Sequence, residues 1–97
     1  MEKKEYSETL ILLKLDLSIS HDKKDDYFEA CLESADKELE EKGIDLNLKN
    51  VEDQMLLSDY TAWRYRNREK EVGISRNLNA RIMNRKVKGR VERNVQG

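Results

Sequence analysis

Proline is absent from the whole sequence, cysteine and histidine occur once each, and glycine four times. Each scarcity excludes something. A single cysteine, Cys31, rules out an internal disulfide and any cysteine-based metal cluster, and fits a reducing compartment. One histidine, His21, in the polar turn "SISHD", leaves no recognisable transition-metal site and reads as a solvated loop residue. The glycines are isolated, so there is no phosphate-cradling loop. The longest apolar run, Leu10 to Leu13, is far short of the roughly 20 residues that span a bilayer. With an acidic beginning that lacks a basic region and a long apolar core, the sequence predicts a soluble protein that is not exported and does not enter a membrane.

What is present is charge. Charged residues make up 40% of the 97 positions, against 37% hydrophobic. That is polar for a globular chain, yet too rich in Leu, Ile and aromatics for plain disorder. The length predicts one domain with one small core, of marginal stability as a monomer and helped by association. The net charge of −1 hides a division. Met1 to Asp59 holds 17 acids and 8 bases, whereas Tyr60 to Gly97 holds 3 acids and 11 bases. Such asymmetry suits a nucleic-acid tail, but also head-to-tail packing of identical subunits, where one acidic face meets the next basic face.

The pattern predicts an all-α fold: a small bundle of about four helices with a long central third helix and a basic C-terminal tail. Ser7 is placed to cap a first helix reaching about Leu17. Its leucines are so dense that periodicity alone does not separate helix from strand, and the segment is read as helix. Ser20 or Asp22 should cap a second helix with Tyr27, Phe28, Cys31, Ala35 and Leu39 at helical spacing, closed by Gly43. In "IDLNLKN", Ile44, Leu46 and Leu48 alternate. They pin an extended connection that has room for a two-residue strand but not for a sheet. Asn50 caps the third helix, expected from Val51 to Val72, with Asp53 favourable in its first turn and Met55, Leu56, Tyr60, Trp63 and Asn67 along one stripe. Gly73 and Ser75 punctuate the start of a fourth helix bearing Leu78 and Ile82, before a basic tail from Lys86. The domain is bounded at 1–88, with 89–97 as a flexible tail. The expected core is Leu13, Phe28, Cys31, Leu39, Leu56, Tyr60, Trp63, Leu78 and Ile82.

No residue set calls for catalysis. Cys31 lies on an apolar stripe with no His, Lys or helix start nearby in sequence to activate it, so it reads as a small core hydrophobe. The carboxylates of "DKKDDYFEA" and "ELEEK" read as solvated helix faces with nearby lysines. Tyr60 and Trp63 read as core rather than base-stacking surfaces. No cofactor and no metal are expected, and the protein is not read as an enzyme.

The stretch "VGISRNLNARIMNR" invites comparison with a helix-turn-helix. In that motif a small residue four places before the turn glycine packs under the recognition helix. Here that position is Glu69, and six residues after Gly73, where a buried aliphatic belongs, stands Asn79. A nucleic-acid-binding module with a helix-turn-helix-like C-terminal half is therefore the alternative reading, not the leading one. The leading one makes Arg64, Arg66, Arg68, Arg76, Arg81 and Arg85 candidates for an interface with another copy or another protein, where a guanidinium pairs bidentately with carboxylates, against a plain solvated basic face.

From Thr9 to Lys86 the chain resembles the small head-tail connector (adaptor) proteins of tailed bacteriophages, also labelled DNA-packaging proteins. The resemblance rests on "LLKLDL", "EDQMLLSDYTAWRYR" and the closing pattern of Arg76, Leu78, Arg81, Ile82, Asn84 and Arg85, in that order and spacing. Ser75 stands where many members carry proline, which leaves the turn before the last helix less rigid. The resemblance implies a helical subunit that assembles into a ring, commonly twelvefold, beneath the portal of a filled capsid. Its expected partners are copies of itself, the portal protein and a tail or stopper protein. Double-stranded DNA would pass through without sequence-specific binding. The expected location is the head-tail interface of the virion, and the bacterial host cytoplasm during assembly.

Overall fold

The structure is a computed structural model, and it describes residues 4–70 and 72–96. Four helices carry the fold, with no strand among the described residues: α1 (Ser7–Asp16), α2 (Asp25–Glu41), α3 (Val51–Arg66) and α4 (Arg76–Gln96). The helix α3 is central, touching α1, α2 and α4, while α1 and α2 also meet each other. The small all-α bundle expected from the sequence is what forms. Its core joins Leu13 of α1, Phe28, Leu32, Ala35 and Leu39 of α2, Leu56, Leu57, Tyr60 and Ala62 of α3, and Leu78 and Ile82 of α4. Ile44 and Leu46 from the alternating connection are both buried, and Leu48 partly, so that loop seals the core as expected without forming a strand.

Two expected core residues sit at its edge. Cys31 and Trp63 are only half-buried, because both face a cleft between α2 and the end of α3. Trp63 still stacks on Tyr60, with ring centroids 6.0 Å apart. Met55, placed on the inner stripe by its spacing, is 48% exposed. The inward line instead runs through Asp53, Leu56, Leu57 and Tyr60.

The helix ends show which caps were legible. Asn50 accepts from the Glu52 N–H at 2.8 Å, and Ser75 Oγ from the Leu78 N–H at 3.2 Å, both as expected. Ser7, by contrast, is the first helical residue of α1, whose start has no side-chain cap. Nor does a side chain of Ser20 or Asp22 cap α2, which begins at Asp25. There the Asp22 carbonyl accepts from the Asp25 N–H in a preceding turn, and Asp25 and Asp26 complement the helix dipole. The third helix stops at Arg66 rather than Val72. Beyond it "NREKE" is charged all round and offers no apolar stripe to hold another turn against the body. The longest helix is thus α4, with 21 residues. It passes through Lys86 and position 88 without a break, so the expected tail boundary is not a helix boundary.

Both α1 and α2 close with the same hydrogen-bond pair. After α2 the Gly43 and Ile44 N–H groups donate to the Glu40 and Leu39 carbonyls, both at 2.9 Å, with Gly43 at φ +87°. After α1 the Ser18 and Ile19 N–H groups donate to Leu15 and Lys14, but the left-handed position is Ser18, at φ +58°. An L-residue there is strained by roughly 1 kcal/mol, and a glycine is not. Ser18→Gly should therefore raise unfolding free energy by about 0.5–1 kcal/mol, or roughly 2–6 °C in Tm. Gly43→Ala should lower it by about 1 kcal/mol. Thermal melts followed by circular dichroism check both signs.

Candidate functional site

Asp53 lies one turn into α3 on its buried face, an acid where the stripe would otherwise carry an apolar side chain. Such a group must be paired. Its two oxygens receive Arg85 from α4, with Nε on Oδ1 at 2.8 Å and an Nη on Oδ2 at 3.1 Å. The Asn47 N–H adds a bond to Oδ2 at 2.8 Å. The Arg85 guanidinium also donates to the Asp45 carbonyl at 3.0 Å. One carboxylate and one guanidinium therefore tie the 42–50 connection, α3 and α4 together. Arg81 supports the joint by donating to Asp59 at 2.7 Å, from a position where both side chains are 40% exposed.

These pairs fix how α4 leaves the body. With Arg81 on Asp59 and Arg85 on Asp53, α4 runs antiparallel to α3. Only Leu78 and Ile82 of its described side chains are buried. Past this anchor, Met83, Val87 and Val91 form a four-residue-spaced apolar line about half exposed to solvent, among Lys86, Lys88 and Arg90.

The six arginines singled out from sequence divide accordingly. Arg81 and Arg85 serve the joint inside the subunit. Arg64 lies 3.6 Å from Glu38 on α2. Arg66 reaches α1, donating to the Asp16 carbonyl at 2.8 Å and pairing with its carboxylate at 3.2 Å. Arg68 covers the Tyr65 ring, 4.1 Å from its centroid. Arg76 is exposed. The sequence reading missed Asp53 as the partner of Arg85. The signal was a lone acid at i, i+3, i+4 and i+7 register with Leu56, Leu57 and Tyr60, matched on α4 by Leu78, Ile82 and Arg85.

The charge division of the sequence becomes a division between helices. Within Asp25–Glu41, α2 has eight acids and one lysine; within Arg76–Gln96, α4 has seven bases and one acid. Among the described residues no ion pair joins the two, although Glu38 of α2 and Lys86 of α4 line one cleft. A shallow acidic surface on α2, formed by Glu33, Lys37, Glu38 and Glu41 around Ala30 and Ser34, is open to solvent.

Two tyrosines bind the acids that turn inward. Tyr6 donates to buried Asp36 at 2.9 Å, and Tyr60 donates to Glu38. Burial, and then the neighbouring carboxylate, push both phenols well above their usual 10.0. The Tyr60 hydroxyl in turn lowers the Glu38 carboxyl below 4.5. No group of His, Cys, Asp and Glu with metal-ligating arrangement occurs among the described residues, and none of their helices is long and apolar enough to cross a membrane. His21 is exposed in its turn, as expected. The nine residues 67–75 separate α3 from α4, where a helix-turn-helix has a turn of about three or four. Asn79 is exposed rather than buried.

Asp53→Asn should cost about 2–4 kcal/mol in urea unfolding, because it strands a mostly buried Arg85, while Asp59→Asn should cost under about 1 kcal/mol. The folded state retains the Tyr6 and Tyr60 protons that the unfolded state releases above pH 10.0, so stability should fall as pH rises past 10. Glu38 contributes in the opposite direction, and its share should be lost as pH falls below 4.5 through its lowered folded value. Tyrosinate absorbance should show Tyr6 and Tyr60 resisting titration until the chain unfolds, and Tyr6→Phe should flatten part of the alkaline loss. Comparison of the chain with family models, with curated proteins and with solved structures finds no match.

Proposed function

We propose that the chain is a structural assembly protein, a subunit that joins head to tail with copies of itself to form a ring beneath a phage portal. The ring extends the DNA channel and offers a platform to a tail or stopper protein. The observation that carries this reading is that, among the described residues, no ion pair joins the acidic helix to the basic helix: the α2 acids that are paired use other partners, Asp25 with Lys14, Asp36 and Glu40 with Lys4, and Glu38 with Arg64. The acids and bases left over on the two helices are what a heterologous contact that rotation can close requires. The basic face of α4 is proposed to lie on the acidic face of α2 in the next copy.

The resemblance to connector proteins supports the same reading through particular residues. The "EDQMLLSDYTAWRYR" stretch is α3, and Leu78, Arg81, Ile82 and Arg85 of the closing pattern are the residues that anchor α4 to it. The shared motif is thus the part that sets the direction of the projecting helix. The proposal assigns no catalytic residue and no cofactor, and places the protein at the head-tail interface.

The test is addition of the labelled chain to isolated portal or DNA-filled heads, followed by sedimentation. Binding is expected. A doubly reversed α4 (Lys88→Glu with Arg90→Glu) should weaken assembly on the portal by roughly tenfold, through loss of complementary charge. No binding to portal or heads would sink the proposal. Tight duplex binding whose affinity falls with salt by a log-log slope of about 0.9 per phosphate would favour the nucleic-acid module instead.

A further inference from the structure

Between α2 and the C-terminal end of α3 lies a cleft of about 510 Å³, a size that takes one or two partner side chains or a small ligand. Tyr27, Cys31, Trp63 and Tyr65 line it, and Arg64 and Arg68 stand on its rim. The Tyr27 and Tyr65 rings meet edge to face at 6.4 Å, and Tyr27 is 49% exposed. An aromatic floor under two guanidinium groups selects an apolar anchor accompanied by a carboxylate.

Three exposed apolar pairs or lines on this chain are candidates for such an anchor. Met83, Val87 and Val91 on α4 are surrounded by lysine and arginine, and like charge at the rim excludes them. Ile11 and Leu15 on α1 flank Lys14 and Asp16, which are already committed to Asp25 at 2.7 Å and Arg66 at 3.2 Å. Val51 and Met55, one turn apart at the start of α3, are 63% and 48% exposed. Beside them stands Glu52, exposed and with no ion pair among the described residues.

We propose that the cleft receives Val51 and Met55 of a second copy, with the incoming Glu52 carboxylate against Arg68, which makes no ion pair among the described residues, while Arg64 stays on Glu38. The contact rests on the head-to-tail reading above and gives it a second, apolar component. Donor and acceptor lie at opposite ends of α3, about 20 Å apart along its axis. One copy cannot satisfy both, and the contact is heterologous. It is also continuous with the proposed α2–α4 contact. Ala30 and Ser34 border both the cleft and the acidic face of α2. On the donor side, Arg81 of α4 meets Asp59 one turn beyond Met55.

Cys31, the chain's one cysteine, is the built-in reporter. In full-length Met55→Cys, mild oxidation at high protein concentration and low salt should produce a ladder of disulfide-linked oligomers on a non-reducing gel. Each copy then carries one thiol on each face, and a disulfide forms only where Cα atoms come within about 7 Å. Ile11→Cys, at an equally exposed apolar site, should yield little ladder, and Glu52→Arg added to Met55→Cys should suppress it at least severalfold. Equal cross-linking from Ile11→Cys and Met55→Cys overturns the proposal, as does a Met55→Cys ladder indifferent to Glu52→Arg. Absence of a Met55→Cys ladder overturns it too if the same variant still binds portal, since the ring would then close through another surface. A ladder without portal binding upholds the cleft contact and removes the portal role.

Discussion

The pairing of Asp53 with Arg85 is the constraint on which the rest of the arrangement depends. Neither residue is at the geometric centre of the core, yet the loop through Asn47 and Asp45, the first turn of α3 that follows it, and the middle of α4, 32 residues further on, converge on them. A bidentate contact fixes orientation as well as distance, which two aliphatic side chains would not do. The hydrophobic contribution of α4 is small, with Leu78 and Ile82 alone buried among its described side chains. Polar geometry, more than burial, therefore sets where the basic helix points.

The same balance explains why the charges look unresolved in a single subunit. The buried carboxylates are satisfied by a hydroxyl or a guanidinium, Asp36 by Tyr6 and Asp53 by Arg85, and the partly exposed Glu38 takes the Tyr60 hydroxyl. Outward-facing acids on α2 and bases on α4 have each other's chemistry, but among the described residues no ion pair joins them. A small domain that buried all of its charge in internal pairs would meet a heavy desolvation cost. Distributing complementary charge over two faces avoids that cost.

Much of the fold was legible because helix chemistry is local. Asn50, Ser75 and Gly43 punctuate helices through groups within a few residues, and the spacing of Phe28, Leu39, Leu56 and Tyr60 reports the buried faces directly. What was not legible depended on distant partners. Nothing near Ser7 shows that it falls just inside α1, and Met55 and Asp53 exchange places on the inner stripe only because Arg85, 32 residues later, supplies the charge that lets an acid turn inward. The end of α3 lies at Arg66 rather than Val72 because the apolar stripe is exhausted there, several residues before any glycine. Five of the candidate arginines, Arg64, Arg66, Arg68, Arg81 and Arg85, contact groups of their own chain, which sequence could not foretell because a guanidinium's partner is distant in the chain.

The anchoring of α4 at one end has a mechanical consequence. From Ile82, the last buried residue among its described side chains, α4 extends about 21 Å to Gln96, so it acts as a lever whose fulcrum is the Arg81 and Arg85 pairs. A tilt of about 10° at that fulcrum moves the tip by roughly 4 Å. Small adjustments in two ion pairs would thus become changes on the scale of a side chain at the far end, with no repacking of the core.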